Sequence, residues 1–227
     1  MENVCETLSE VRDLCHEQKM DSCIVQKVDL GVLDFAEYSV DRVDFRDVEL
    51  IGVSFRRCFL HHVTYRNARL RGASFATSHL RGTKFFNCQL MEGVFLGALI
   101  ENARFFDSQL TSANFSGARM LNSRLQNTDL NAANFERAML IHCGIEEARM
   151  ENPQMSRTNF KNAVLIDVDF KGANLFGADF SGALLIRVDL RDANLTNCNF
   201  ENASFVDVAT DRAEMNDAQK QLLAKGN

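Results

Sequence analysis

The most restrictive feature of this chain is an apolar residue at every fifth position from Val25 to Phe205. The series covers 37 positions, counted in steps of five from 25 to 205, without a change of register. An α-helix repeats every 3.6 residues and a β-strand every two, so neither explains a period of five. A fixed short period indicates a solenoid, in which the chain turns a corner in each repeat and coils stack on one another.

A second ordered column lies two residues before each apolar centre and holds mainly small side chains, as at Ala68, Ala73 and Cys88. The other three residues of each repeat are mostly polar. We expect both ordered positions to point inward, because the large side chain can fill the axis while the small one lets the backbone pass beside it. The predicted core centres include Phe45, Phe55, Leu70, Phe85, Phe95, Phe105, Phe115, Phe135, Phe180 and Leu195.

Three repeats, Ala113–Gly117, Ala133–Arg137 and Ala178–Gly182, match an A(D/N)LXX pattern, and through such units the chain resembles the pentapeptide-repeat family. The resemblance extends over about four-fifths of the length. It implies an all-β solenoid, a right-handed quadrilateral β-helix in which four pentapeptides form one coil. The repeat would then give about nine four-sided coils. At ~4.8 Å per coil, the rod would be roughly 45 Å long, filled with side chains and without a pore.

The repeat divides the chain into an N-terminal helical cap (residues 1–22), the β-helix (23–207) and a C-terminal capping segment with a short helix (208–227). In the first part, Thr7 and Glu10 have the spacing of a capping box. Helical spacing there is carried by Val4, Leu8, Val11 and Cys15. Both end segments are expected to cover the open ends of the stack, where unpaired strand edges invite aggregation. A frayed N-terminal tail is the alternative.

The C-terminal helix is predicted to start after Asn216, to run through Lys225 and to stop at Gly226. The first twenty residues contain five acidic residues and no apolar core, so no signal peptide is expected. No apolar run approaches the length needed to span a bilayer. We therefore expect a cytoplasmic protein without a membrane contact.

The cysteines and histidines are the first candidates for chemistry. Of seven cysteines, five fall at the small inward position, where a thiol is a compact apolar filler: Cys23, Cys58, Cys88, Cys143 and Cys198. No CxxC pair occurs, and free thiols fit a reducing compartment. His61 and His79 are predicted to lie near each other on one face. No carboxylate or thiolate is expected to face outward beside them, so ordinary surface histidines are favoured over a metal site.

No catalytic signature appears in the sequence. GxSxG, Walker, HExxH and dinucleotide-binding motifs are all missing. A filled rod also offers no pocket for a small substrate. The sequence therefore favours a protein that is not an enzyme and needs no cofactor. Its only proline, Pro153, takes a small inward position and indicates either a tolerated substitution or a local bend.

Residues twenty apart should lie on the same side of the rod. We call the side through residues 45, 65 and 85 the first wall and number the others in chain order, so the fourth wall passes through 60, 80 and 100. The first wall carries a cationic ladder, which we define as Arg66, Lys84, Arg104 and Arg124. It is either an ordinary solvated surface, whose charges are screened by salt within about 8–10 Å, or a binding site for an anion or an acidic partner.

Apolar side chains also gather at outward positions of the first wall. We define this apolar patch as Val164, Ile166, Leu184, Ile186, Val206, Phe86 and Phe106. The fourth wall adds Phe59, Leu99, Leu121, Met139 and Ile141. Apolar groups concentrated on adjoining walls often mark interfaces, and relatives in the resembled family form dimers through their C-terminal ends. A homodimer through the patch is therefore expected, with cover by the C-terminal segment as the alternative.

Charge is distributed unevenly along the chain, whose net charge is −6. Residues 1–50 hold 13 acids and 5 bases, residues 51–127 hold 3 and 10, and residues 128–227 hold 15 and 10. The rod is therefore expected to have acidic ends and a basic waist. This asymmetry affects the choice of partners and not the fold.

These features favour an interaction rod that binds an unidentified protein partner. The resemblance implies an alternative, because one branch of the family mimics DNA, binds DNA gyrase or topoisomerase IV and protects it from quinolones or toxins. The unbroken repeat fits that branch, whereas the basic waist opposes it. Two further alternatives are nucleic-acid binding through the waist and secretion as a host-directed effector. The acidic chain has no recognised nucleic-acid module, and no sequence feature tests the effector role.

Overall fold

The structure is a computed structural model that describes residues 3–15 and 18–226. The predicted all-β solenoid is confirmed, with about ten coils where the sequence suggested about nine. Eleven parallel strands form the first wall, each paired with the strand one coil away; Phe85, for example, lies opposite Phe105. These strands are β1 (Asn3–Cys5), β3 (Cys23–Gln26), β5 (Asp44–Arg46), β7 (Thr64–Arg66), β9 (Lys84–Phe86), β11 (Arg104–Phe106), β13 (Arg124–Gln126), β15 (Gly144–Glu146), β16 (Val164–Ile166), β17 (Leu184–Ile186) and β18 (Ser204–Val206).

Seven further parallel strands form the N-terminal part of the fourth wall. They are β2 (Lys19–Asp21), β4 (Ser39–Asp41), β6 (Phe59–His61), β8 (His79–Arg81), β10 (Leu99–Glu101), β12 (Arg119–Leu121) and β14 (Met139–Ile141). The second and third walls are held together by single parallel bridges, such as Asn114 with Asn134. Beyond β14 the fourth wall also continues as bridges, starting with Met139 and Asn159.

Asx turns accompany many of the single bridges. At these places the residue just before the centre is Asn or Asp, and its side-chain oxygen accepts a hydrogen bond from the backbone N–H two residues later. Asn114 Oδ1 accepts from Ser116 N at 2.9 Å, and Asp169 Oδ1 accepts from Lys171 N at 2.9 Å. The fourth wall changes from strands to bridges where Asn159 follows Met139 in the column. The Asx turn is not required for a single bridge, because Arg69 and Val94 also form single bridges, and Asp44 begins the three-residue strand β5.

The apolar centres form the core of the rod. All 37 of them are buried, and none exposes more than 4% of its surface. The ten centres named above have no exposed surface. Phenylalanine rings stack from coil to coil, with centroids of Phe75 and Phe95 5.0 Å apart and those of Phe95 and Phe115 4.5 Å apart. The five-residue period thus places one large side chain from each wall on the axis of every coil.

The turn residue two positions after almost every centre adopts a left-handed backbone conformation, with Val32 as the exception. Asn67 has a φ of 51° and Gly72 a φ of 66°, and the pattern recurs along the rod. Left-handed backbone disfavours most residues other than glycine and asparagine. Gly, Asn and Asp are accordingly enriched at this position, which forms a third ordered column beside the two inward ones.

The N-terminal segment differs from the helical cap expected over residues 1–22. Among residues 3–15 and 18–22, α1 (Leu8–Leu14) is the only helix, and Val4, expected on the helix, lies in β1. β1 and β2 extend the first and fourth walls by one coil. The strands satisfy backbone groups that the next coil would otherwise expose at its edge. The capping box of α1 is confirmed, because Thr7 Oγ1 accepts from Glu10 N at 3.3 Å and Glu10 Oε2 accepts from Thr7 N at 3.0 Å. Val11 of α1 is fully buried.

The C-terminal end continues past the predicted boundary at residue 207, since Glu214 still bridges to Asn194. α2 (Asp217–Gly226) follows and ends one residue later than expected. Asn216 Oδ1 accepts from Gln219 N at 2.9 Å, so Asn216 caps this helix. The buried Gln219 amide donates to the carbonyl oxygens of Leu195 at 2.9 Å and Cys198 at 3.0 Å. α2 thereby satisfies backbone acceptors that the last coil presents.

Pro153 is tolerated within the register. Its coil keeps the inter-coil ladder, because Gln154 bridges to both Asn134 and Asn174. What proline loses is the turn hydrogen bond that equivalent residues make, for example Ala133 N to Leu130 O at 2.9 Å. Neither described helix is long and apolar enough to cross a membrane.

Candidate interaction surface on the first wall

Three members of the cationic ladder lie in one column of the first wall. Arg104 is the direct partner of Lys84 on β9 and of Arg124 on β13. Arg104 and Arg124 are exposed and Lys84 is half-buried. Within residues 3–15 and 18–226, no carboxylate comes within ion-pairing distance of any of the three. The column therefore presents three cations about 4.8 Å apart without an internal counter-charge.

Arg66, the fourth member of the ladder, has a different environment. Its Nε lies 3.3 Å from Asp44 Oδ1, and its guanidinium carbon lies 5.1 Å from the centroid of the Phe86 ring. A guanidinium over a ring is a cation–π contact. Arg66 is therefore partly satisfied within the protein, and the freely presented charge is that of Lys84, Arg104 and Arg124.

Acidic residues close to the ladder are already engaged with other side chains. Glu101 Oε2 lies 3.1 Å from His79 Nε2 on the fourth wall. Asp107 Oδ1 accepts a 2.7 Å hydrogen bond from Asn127 Nδ2 at the next corner. Thr64 and Gly144 end the ladder's own column without charge. Glu146 in the neighbouring column is closer, because its Oε1 and Arg124 Nε both lie within 4.0 Å of the position that a Cβ of Gly144 would take, yet the two side chains form no ion pair.

Phe86 and Phe106 form an aromatic pair beside the cations, on the same two strands. Their ring centroids are 5.5 Å apart and their planes differ by 9°. One face of Phe86 is covered by Phe106 in the next coil, and the opposite face is covered by Arg66 in the previous coil. The pair therefore offers mainly ring edges to a partner.

The apolar patch is divided in two by the structure. Its C-terminal group consists of Val164 opposite Leu184 and of Ile166, Ile186 and Val206 in register. Phe86 and Phe106 share the column of Ile166 but are separated from it by Gln126 and Glu146. The seven residues therefore form two separate groups on the first wall. The reason is that two coils with polar residues at this position interrupt the column.

The C-terminal group remains accessible. Val206 is 47% exposed, although α2 packs against β18, while Val164, Ile166, Leu184 and Ile186 are half-buried by their neighbours in the sheet. Parallel in-register strands hold these five side chains in a flat array. Cover by the C-terminal segment, the alternative raised by the sequence, is not seen for this group among the described residues.

The histidines do have an acidic neighbour, contrary to the sequence-based expectation. His79 Nε2 is 3.1 Å from Glu101 Oε2, because residue 101 falls one coil further in the adjoining column. The His61 and His79 rings are 5.6 Å apart, and burial together with His79 lowers the pKa of His61. Even so, no three His, Cys, Asp or Glu side chains in the described ranges have the geometry of a metal site.

The cysteines fill the core as predicted from their register. All seven thiols are free, and the five at inward positions are buried. Burial raises the pKa of Cys58, Cys88 and Cys198 to about 12. A thiolate is the reactive form of cysteine, so these groups act as apolar fillers. Cys58 Sγ also donates to the Phe35 carbonyl at 2.7 Å.

Tyr65 is an exception within the core. It stacks between Phe45 at 5.1 Å and Phe85 at 4.9 Å, and its hydroxyl is buried without a hydrogen-bond partner in the described part of the chain. Burial raises its pKa well above the usual value. An unsatisfied buried hydroxyl costs about 1–3 kcal/mol.

Replacing this tyrosine by phenylalanine should therefore stabilise the protein. We expect Tyr65→Phe to raise the free energy of unfolding by about 1–2 kcal/mol, because the ring stack is kept and the orphan hydroxyl is removed. Urea denaturation followed by circular dichroism measures the change. The matched variant Phe85→Tyr should lower stability. A loss of stability in Tyr65→Phe would show that the hydroxyl has a partner, such as a buried water.

Comparisons with known proteins agree with this architecture. The family model described as "Pentapeptide repeat region" matches residues 18–95 and 60–135, and the model "Pentapeptide repeats (8 copies)" matches residues 145–182, 154–192 and 183–208. No curated protein sequence matches the chain significantly.

Three solved structures are similar to all or part of this chain. QnrB1, a plasmid-mediated fluoroquinolone resistance protein, is 18% identical, with a TM-score of 0.51 over 91% of this chain and 96% of its own. HetL, involved in heterocyst differentiation regulation in the cyanobacterium Nostoc sp. strain PCC 7120, is 20% identical over 86% of both chains, with a TM-score of 0.38. Rfr23 from the cyanobacterium Cyanothece 51142 is 32% identical over 41% of this chain and 64% of its own, with a TM-score of 0.40. The family models together cover more than half of the sequence, and the chain belongs to the pentapeptide-repeat family.

Proposed function

We propose that this protein is a non-catalytic interaction rod whose first wall binds protein surfaces, beginning with a second copy of itself. The observation that carries the proposal is the flat apolar array of Val164, Leu184, Ile166, Ile186 and Val206 at the C-terminal end of this wall. Side chains fixed by an in-register sheet lose little conformational freedom on binding, which lowers the cost of association. The buried thiols and the filled core support an interaction role over a catalytic one.

Self-association should depend on Ile186, which lies at the centre of the array. We expect Ile186→Asp to lower the mass in light scattering from twice the chain mass of 25.6 kDa to that of one chain, because a carboxylate would be buried without a partner. The control Ile51→Asp changes a 50% exposed residue on the second wall and should leave the mass unchanged. A wild-type monomer, or a dimer that survives Ile186→Asp, would contradict the proposed interface.

Protection of a topoisomerase is a second candidate. A column of carboxylates on the second wall, Asp129, Asp169 and Asp189, supports it, since a DNA mimic must present regularly spaced negative charge. Arg149 interrupts this column, and the cationic ladder on the first wall opposes the reading. Gyrase and topoisomerase IV assays with and without a quinolone test it. Absence of both protection and inhibition at micromolar protein would remove this candidate.

A further inference from the structure

We propose that Lys84, Arg104 and Arg124, together with Phe86 and Phe106, bind an acidic α-helical segment of a protein partner that lies along the rod axis. This inference rests on the proposed role as an interaction rod and names the chemistry of the partner. The surface is distinct from the C-terminal apolar array, from which Gln126 and Glu146 separate the aromatic pair. Both surfaces can therefore be tested independently.

The first argument is charge. Like charges directly opposite each other on neighbouring strands destabilise a sheet, yet Arg104 faces Lys84 on one side and Arg124 on the other. No carboxylate of the described residues forms an ion pair with them: Glu101 and Asp107 bond to His79 and Asn127, and Glu146 approaches Arg124 beside Gly144 without pairing with it. A row of carboxylates on a partner would supply the missing counter-charge.

The second argument is spacing. The three cations are separated by about 4.8 Å per coil along the rod. Acidic residues at positions i, i+4 and i+7 of an α-helix follow one another at about 5.2 Å on average, from a rise of 1.5 Å per residue. Alternate residues of an extended strand are about 6.7 Å apart and would lose register by roughly 2 Å at each step. The spacing of acidic residues on a helix therefore matches the spacing of all three cations, whereas the spacing on a strand matches it poorly.

The third argument is the aromatic pair. Phe86 and Phe106 run parallel to the cations, two residues further along the same strands, which places them about 6.6 Å to one side. A helix with an apolar stripe beside its acidic stripe can cover both columns. Single-stranded nucleic acid binds aromatic residues by stacking bases on open ring faces. Here the faces of Phe86 are covered by Phe106 and Arg66, so a protein helix is favoured.

Binding can be tested with a fluorescein-labelled helical peptide that carries Glu at i, i+4 and i+7 and Leu in the adjoining stripe. The same peptide with Gln in place of Glu is the ligand control. The triple variant Lys84→Gln/Arg104→Gln/Arg124→Gln is compared with Arg56→Gln/Arg137→Gln/Arg157→Gln, which removes three exposed cations from the third wall and its corner. Both triple variants change the net charge equally.

In fluorescence anisotropy at low salt, we expect the wild-type protein to bind the Glu peptide and not to bind the Gln peptide. The ladder variant should weaken binding about tenfold or more, and the third-wall variant should leave it within about twofold. Phe86→Ala/Phe106→Ala should weaken binding without changing its salt dependence. No binding of the Glu peptide, or equal losses in the two triple variants, would overturn the inference.

Two further ligands identify other classes of partner. A single-stranded oligonucleotide or phosphatidylserine vesicles that bind more tightly than the peptide, with the same dependence on the ladder, would overturn the assignment to a protein helix. The Ile186→Asp variant separates this inference from self-association. If the Ile186→Asp protein is monomeric and still binds the peptide, both the dimer interface and the peptide site are supported. If it binds the peptide but its mass is unchanged, the peptide site is supported and the proposed dimer interface is refuted.

Discussion

Phe95→Ala should lower the free energy of unfolding by about 3–5 kcal/mol, one of the largest effects of any single substitution in the rod. Phe95 has no exposed surface and stacks between Phe75 at 5.0 Å and Phe115 at 4.5 Å. Truncation removes its apolar contacts, opens a cavity on the axis and ends two stacked and two edge-on ring contacts, each worth about 0.5–1.5 kcal/mol. The neighbouring coils cannot close the gap, because their backbone is fixed by inter-coil hydrogen bonds.

Leu96→Ala provides the matched control, since Leu96 is the next residue along the chain and is 47% exposed. We expect it to cost less than about 1 kcal/mol. Urea denaturation curves of both variants, followed by circular dichroism, give the comparison. Similar losses for the two variants would mean that the core does not depend on the centre column as described.

The centre column could be predicted from the sequence because the same apolar spacing recurs in every coil. Burial of residues such as Leu70 and Phe180 follows from the five-residue period alone, and every later coil repeats the evidence. The wall on which Lys84 or Ile186 lies follows from the same period. Fold class and column membership were therefore accessible before any coordinates.

The division into strand and bridge walls was not predicted, and the residue just before each centre signals it only in part. Asn or Asp at this position closes an Asx turn on the bridge walls, as at Asn114 and Asp169. Arg69 and Val94 form single bridges without such a turn, whereas Asp44 begins the three-residue strand β5. The identity of this one residue therefore does not locate the two sheets.

The ends of the rod were less predictable because they lie outside the repeat. β1 and β2 pair with the next coil through their backbone. The buried Met20 of β2 continues the five-residue period, but Glu10 interrupts this period before β1. Side-chain contacts between neighbouring columns could not be predicted from the sequence either. The pairing of Arg66 with Asp44 and of His79 with Glu101 depends on side-chain conformations across neighbouring columns, which the repeat does not specify.

The rigidity of the stacked coils fixes the spacing of the side chains on the first wall. Each outward side chain is repeated at a fixed interval by the backbone ladder, so charge and apolar surface are presented in straight columns. Lys84, Arg104 and Arg124 form one such column, and Ile166, Ile186 and Val206 form another. Any partner must match these columns in spacing, and this requirement ties the proposed function to the twenty-residue coil.

That coil length predicts a large difference between two nearly identical deletions. Removal of residues 96–115 joins Phe95 to Ser116 and preserves the register, because Ser116 occupies the column position of Leu96 one coil later. Removal of residues 96–114 leaves one extra residue at the junction. Every centre beyond it would then fail to align with the preceding coils, and apolar side chains would turn toward water on one wall after another.

The thermal and urea transitions of these two deletion proteins test the twenty-residue register most directly. We predict that the protein lacking 96–115 keeps the β-sheet circular dichroism spectrum and a cooperative transition with only a modest loss of stability. The protein lacking 96–114 should lose its cooperative transition or retain only the coils on one side of the junction. Equal stability of the two deletion proteins would contradict the assignment of residues to walls on which both proposed surfaces depend.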